Sequence, residues 1–126
     1  MNLDQVVVGV VDDDPHVLES LEELLLSAGY KVLSFPSAES FLEANGFQQV
    51  DCLISDVGMP TMSGSELLDI AQAQHPDIPV ILITARDEQP LRKMLAEKGA
   101  RHLFRKPFDA GDFLSTLASI LRSEDY

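Results

Sequence analysis

Three aspartates, a threonine and a lysine follow apolar runs in this 126-residue chain. Val6-Val7-Val8-Gly9-Val10-Val11 ends in Asp12-Asp13, and Cys52-Leu53-Ile54-Ser55 ends in Asp56. Val80-Ile81-Leu82-Ile83 ends in Thr84, and Leu103-Phe104 leads to Lys106-Pro107. In an open parallel sheet the strand C-termini share one edge, and ligands bind there. An edge that carries acids, a hydroxyl and an amine can hold a metal ion and a phosphoryl group.

Three neighbouring carboxylates cannot all stay ionised without compensation. Mg²⁺ suits them, because it takes oxygen ligands and is usually held by one or two carboxylates plus a phosphate. Asp12, Asp13 and Asp56 with Mg²⁺ and Lys106 sum to zero charge. A phosphoryl group could then place its oxygens on the metal, on Lys106 and on the Thr84 hydroxyl. Asp56 stands alone ahead of Val57-Gly58-Met59-Pro60. That suits a nucleophile, since a carboxylate can form an acyl phosphate. Each residue alone also has a plain reading. Asp12-Asp13-Asp14 could be a turn and a helix cap, Asp56 a turn start, Thr84 a strand end, and Lys106 a neutralising charge. All of these holding together at one sheet edge is the weaker reading.

The elements that must position these residues can be read locally. Apolar runs alternate with helical patterns about five times, as in βα units around a parallel sheet. The runs are nearly continuous in Val, Ile and Leu, which suits strands covered on both faces. Asp14-Pro15 predicts a capped helix start; Val17, Leu18, Leu21, Leu24 and Leu25 form its stripe, and Gly29 its stop. A weaker helix spans about 37–44. Ser63 and Glu66 fit a capping box. Pro90 can open a helix that Gly99 ends. Asp109 can cap the last helix, with Phe113, Leu114, Leu117, Ile120 and Leu121 as its stripe.

Composition narrows the class. Apolar residues make up 45% and charged residues 24%, which is ordinary for one globular domain. No apolar run is long enough to span a bilayer and no leader pattern is visible, so a cytoplasmic location without membrane contact is expected. Cys52 is the only cysteine, so it can form no internal disulfide, and it reads as a small core filler. The net charge of −12 argues against nucleic-acid binding by this chain. Residues 1–85 carry 14 acids and one base, Lys31, whereas residues 86–126 carry 7 acids and 8 bases. Arg86, Arg92, Lys93, Lys98, Arg101 and Arg105 therefore form a basic flank around the fourth helix and fifth strand. His16, His75 and His102 lack partners at metal-ligand spacing and read as structural.

Together, Val11-Asp12-Asp13-Asp14-Pro15, Ser55-Asp56-Val57-Gly58-Met59-Pro60, Ile83-Thr84-Ala85 and Lys106-Pro107-Phe108 resemble the receiver domain of two-component response regulators. Asp56 follows Asp13 by 43 residues, Thr84 follows Asp56 by 28, and Lys106 follows Thr84 by 22. Ser37-Ala38-Glu39-Ser40-Phe41-Leu42 and Met62-Ser63-Gly64 look most like the FixJ-type branch, whose members regulate transcription. The resemblance implies an α/β fold: a doubly wound, five-stranded parallel sheet with helices on both faces, flavodoxin-like and CheY-like. It implies that a sensor histidine kinase donates a phosphoryl group to Asp56. Asp12, Asp13, Asp56 and the backbone carbonyl of Gly58 would hold Mg²⁺, and Thr84 and Lys106 would contact the phosphoryl group. The Lys106-Pro107 bond would be cis. The region around the fourth helix and fifth strand would signal, through a phosphorylation-dependent homodimer or a partner.

Two departures from the family pattern matter. Leu103, three residues before the lysine, replaces the usual aromatic, and Phe104 should face the other side of the sheet. Gly58 and Arg86, two residues after Asp56 and Thr84, should lie at the mouth of the site. There Gly58 would leave room for attacking water and Arg86 would partly cover the opening. Residues 1–126 are expected to form a single receiver domain without an output domain. Two other functions fit the residues less well. A Mg²⁺-dependent phosphohydrolase with an aspartyl nucleophile would want a second acid near Asp56, where Gly58 stands. An unphosphorylated interaction module would not need the intact acid, hydroxyl and amine set.

Overall fold

The computed structural model describes residues 6–86 and 89–123; the ends of the expected 1–126 span lie outside the described residues. Five strands, β1 (Val7–Val11), β2 (Lys31–Phe35), β3 (Cys52–Asp56), β4 (Val80–Thr84) and β5 (His102–Arg105), alternate with five helices. The helices are α1 (Pro15–Ser27), α2 (Ala38–Glu43), α3 (Gly64–Gln74), α4 (Gln89–Glu97) and α5 (Ala110–Ser123). The sheet is all parallel, in the order β2-β1-β3-β4-β5. The order reverses at β1, so β1 and β3 part company with their following helices there, and a crevice opens at their C-terminal ends.

Side-chain alternation divides the core between the two faces. Val8, Val10, Cys52, Ile54, Ile81, Ile83 and Phe104 pack with Leu21 and Leu25 of α1 and Phe113, Leu117 and Leu121 of α5. Val11, Leu53, Val80, Leu82 and Leu103 pack with α2, α3 and α4 through Phe41, Leu67, Leu68 and Leu95. Leu103 and Phe104 thus lie on opposite faces, as expected. β3 and β4 are buried throughout, whereas β2 is only partly buried. That difference follows from their central and edge positions.

The helix ends carry the expected signals. The Asp14 carboxylate accepts from the His16 N–H at 2.9 Å and caps α1. Ser63 and Glu66 form a complete capping box on α3, and Asp109 accepts from the Asp112 N–H at 2.8 Å on α5. Gly29 and Gly99 take positive φ, 95° and 103°, just beyond α1 and α4. The Tyr30 and Ala100 N–H groups then reach back to the Leu25 and Leu95 carbonyls. Left-handed backbone of this kind closes a Schellman end and favours glycine. The weaker helix is Ala38–Glu43 with Ser37 and Ala44 as its caps, and a short 3₁₀ turn at Gly46–Gln48, which the sequence pattern did not announce, follows it. Cys52 is buried, and His75 stacks on Phe47 at 4.8 Å.

One glycine fixes where α3 meets the site. The Gly64 N–H donates to the Val57 carbonyl at 3.0 Å, and a Cβ on Gly64 would collide with the Asp56 carbonyl oxygen. A backbone atom cannot yield as a flexible side chain can. Gly64→Ala should therefore cost about 1–3 kcal/mol of stability through overpacking. Gly58→Ala, whose Cβ would meet nothing within 4 Å, should change stability by less than about 0.5 kcal/mol. Urea unfolding of the two variants checks the contrast, and equal losses would contradict it.

Candidate functional site

The C-terminal ends of β1, β3, β4 and β5 bring the sequence-selected residues to one edge. Register does the first part: Val11 pairs with Ser55, Asp56 with Ile83, and Thr84 with Arg105. Asp12 and Asp56 therefore begin adjacent loops, and Thr84 lies on the strand next to Asp56. The Lys106 N–H donates to the Thr84 carbonyl at 2.8 Å, which brings the last strand into line. The Lys106-Pro107 bond is cis.

Alternation does the second part. Asp12, Asp56 and Lys106 continue the strand positions that face α1 and α5, whereas Thr84 continues those that face α3 and α4. Lys106 accordingly meets the acids. Its Nζ lies 3.1 Å from Asp12 Oδ2 and 3.2 Å from Asp56 Oδ1. Asp12 is 1% exposed, and its other oxygen accepts from the Asp14 N–H at 2.9 Å. Asp56 is buried as well, whereas Asp13 is exposed. Carboxylate oxygens of all three lie within 4.8 Å of one another. Three hard oxygen donors at that spacing fit Mg²⁺ in the number and kind of protein ligands it takes.

Thr84 is engaged elsewhere. Its hydroxyl donates to the Arg86 carbonyl at 3.0 Å and accepts from the Arg86 N–H at 3.0 Å. Sequence spacing placed Thr84 but gave no sign of this backbone partner. Gly58 is exposed with open space around it, and Arg86 is exposed as well. Leu103, at 6% exposure, is already packed into the α3–α4 side of the core. Gly64 was visible in the sequence beside Ser63, but its contact with the Asp56 backbone is tertiary. The expected basic flank divides, because Lys98 turns toward α3, with Nζ 3.1 Å from Asp69 Oδ2.

One ammonium does not balance this cluster. Burial first, and then the Asp12 charge, push the Asp56 carboxyl above its ordinary 3.8, against the pull of Lys106. Burial pulls the Lys106 ammonium down, but the Asp12 hydrogen bond and the charges of Asp56 and Asp12 outweigh it, leaving it above 10.5. The Asp56 shift is thus mainly one of burial, reinforced by the neighbouring acid, whereas the Lys106 shift comes from the acids it touches. The signs for stability are opposite near neutral pH. The Lys106 contribution is complete below 10.5 and is lost as pH rises through its raised value. The Asp56 contribution is complete below 3.8 and is already lost once pH exceeds its raised value, so its ionised form costs stability at pH 7. Without divalent cations, Asp56→Asn should thus stabilise the fold at pH 7 by on the order of 1 kcal/mol, an ordinary single-site effect. The gain should shrink toward pH 3. Denaturant curves at several pH values check it, and a pH-independent loss would contradict it.

Comparison with known proteins agrees with this geometry. Residues 8–118 match the response regulator receiver domain. The response regulator protein TmoT of Ectopseudomonas mendocina is 37% identical over 122 residues, covering 97% of this chain and 56% of TmoT. The transcriptional regulatory protein FixJ of Bradyrhizobium diazoefficiens is 34% identical over 116 residues, covering 92% of this chain and 57% of FixJ. The chain thus spans about half the length of these curated relatives. The solved structure of the chemotaxis protein CheY4 of Vibrio cholerae superposes with a TM-score of 0.82 at 27% identity, covering 91% of this chain and 98% of that one. By its sequence match, its strand order and the acid–lysine edge those strands create, this chain belongs to the receiver-domain family of two-component response regulators.

Proposed function

We propose that this chain is a phosphoryl-accepting switch in which Asp56 is the acceptor. The observation that carries the reading is Lys106, whose ammonium lies within 3.2 Å of both Asp12 and Asp56. A phosphoryl group on Asp56 would meet Lys106 from one face of the sheet and the Thr84 hydroxyl from the other. The donor is a sensor histidine kinase. An Asp56 oxygen forms the new O–P bond, the donor's P–N bond breaks, and the imidazole nitrogen keeps the electron pair.

Asp12, Asp13, Asp56 and the Gly58 carbonyl are the residues that would hold Mg²⁺. When bound, the ion supplies positive charge to phosphoryl oxygens that the protein's own acids would otherwise repel. Among the residues of the chain, Lys106 orients the acceptor and neutralises one oxygen. Thr84 supplies a hydroxyl donor once it leaves Arg86. Switching is the function and turnover is incidental, limited to self-phosphorylation from small donors and self-dephosphorylation. The likeness to the transcriptional regulatory protein FixJ supports an output in transcription regulation, exerted through the surface around α4 and β5 by self-association or by contact with a partner. No described helix is long and apolar enough to cross a membrane.

Incubation with Mg²⁺ and a small phosphodonor, read by intact mass, tests the acceptor. The parent should gain one phosphate and Asp56→Asn none; an equal gain in both would contradict the assignment. The two residues at the mouth should set the lifetime. Gly58→Asn, which fills open space on the approach to Asp56, should lengthen the acyl-phosphate half-life several-fold. Arg86→Ala should shorten it. Decay followed by mass after donor removal checks both, and unchanged half-lives would refute the roles given to them.

A further inference from the structure

We propose that Lys98 makes the C-terminal end of α4 a fixed pivot against α3, so that phosphorylation of Asp56 moves only the end of the helix that follows Arg86. The proposal rests on the phosphoryl-acceptor reading of Asp56. It concerns how this chain transmits the event without an aromatic at Leu103.

The far end of α4 is held by polar contacts to one face of α3. Lys98 Nζ donates to Ser65 Oγ at 3.0 Å and to Asp69 Oδ2 at 3.1 Å. Gln72 Nε2 donates to the Gly99 carbonyl at 3.4 Å, and a Cβ on Gly99 would lie 2.6 Å from the Gln72 side chain. Ser65, Asp69 and Gln72 fall at i, i+4 and i+7, a single stripe of α3. That helix is itself fixed to the phospho-acceptor strand, because Gly64 is bonded to Val57 and abuts the Asp56 carbonyl. Lys98 thereby refers α4 to the strand that bears the acceptor.

The near end is attached differently. Leu95, in the last turns, is the one fully buried residue of α4, while Leu91 is partly buried and Gln89, Pro90, Lys93 and Met94 are exposed. Ahead of them stands Arg86, with both backbone groups bonded to the Thr84 hydroxyl. A phosphoryl oxygen is a stronger, charged acceptor than the Arg86 carbonyl. When the Thr84 O–H turns to it, the Arg86 carbonyl gives up that bond while the Arg86 N–H keeps its own to the Thr84 oxygen, so the start of α4 is drawn after the hydroxyl. The helix is then displaced at one end and clamped at the other. Leu103 needs no movement in this scheme, since it is already packed beneath α4.

Amide hydrogen exchange along α4 tests the pivot, with Mg²⁺ and beryllofluoride as the phosphoryl mimic and mass spectrometry of its uptake on the same samples. In the parent, activation should change exchange at Lys93 and Met94 and leave Lys98, Gly99 and Ala100 unchanged. In Lys98→Leu, the change should spread to Gly99 and Ala100 by roughly two- to fivefold, the scale of one partly exposed ion pair. Asp69→Asn should act in the same direction, and Lys98→Arg should restore the gradient. A uniform or absent response along parental α4 despite uptake would overturn the pivot alone, as would an unaltered gradient in Lys98→Leu and Asp69→Asn. Failure of uptake at Asp56 would overturn the pivot together with the acceptor reading beneath it.

Discussion

The site depends on one cation shared by two buried acids. Lys106 reaches Asp12 and Asp56 at 3.1 and 3.2 Å, and a buried carboxylate needs such a partner to offset its lost hydration. Removing the ammonium would leave uncompensated charge in the sheet edge, a costlier change than losing a surface pair. Yet one ammonium stands against three carboxylates, and burial first, with the Asp12 charge behind it, leaves the Asp56 carboxyl raised. On the reading proposed above, a divalent cation would relieve the excess, and a phosphoryl group could then be accommodated where bare carboxylates would repel it.

The two-residue period of a strand separates binding from readout. It sends Lys106 to the α1–α5 side with the acids and Thr84 to the α3–α4 side with Leu103. The amine therefore holds Asp56 while the hydroxyl is tied to the backbone of Arg86, ahead of α4. On the pivot proposed above, a ligand held between them would pull on one side only. Leu103, where the family pattern leads one to expect an aromatic, would then need no movement, because the hydroxyl already contacts the backbone of Arg86.

Much of this was legible in the sequence because it rests on local rules. Strand-end residues, the caps at Asp14, Ser63 and Asp109, and the stops at Gly29 and Gly99 follow from periodicity and backbone preference, and all formed as expected. The opposed faces of Leu103 and Phe104 follow from strand alternation alone. The contacts that escaped are tertiary. Nothing in Gly64 as a letter says that its Cα abuts the Asp56 carbonyl, since that requires the angle between α3 and β3. The tie from Lys98 to Ser65 and Asp69 joins helices about thirty residues apart, and in composition Lys98 counts merely as one more base on a basic flank. Thr84 was found by its spacing, but its bond to Arg86 depends on a loop conformation that spacing does not encode.

Calorimetric titration with Mg²⁺ tests the central claim, that the excess acid over Lys106 is a cation site. The parent should bind one ion. Asp13→Asn, which removes an exposed charge without disturbing the buried Lys106 contacts, should weaken binding by about tenfold or more, the cost of about 1.4 kcal/mol. Binding of equal strength in the parent, Asp13→Asn and Asp56→Asn would contradict the claim.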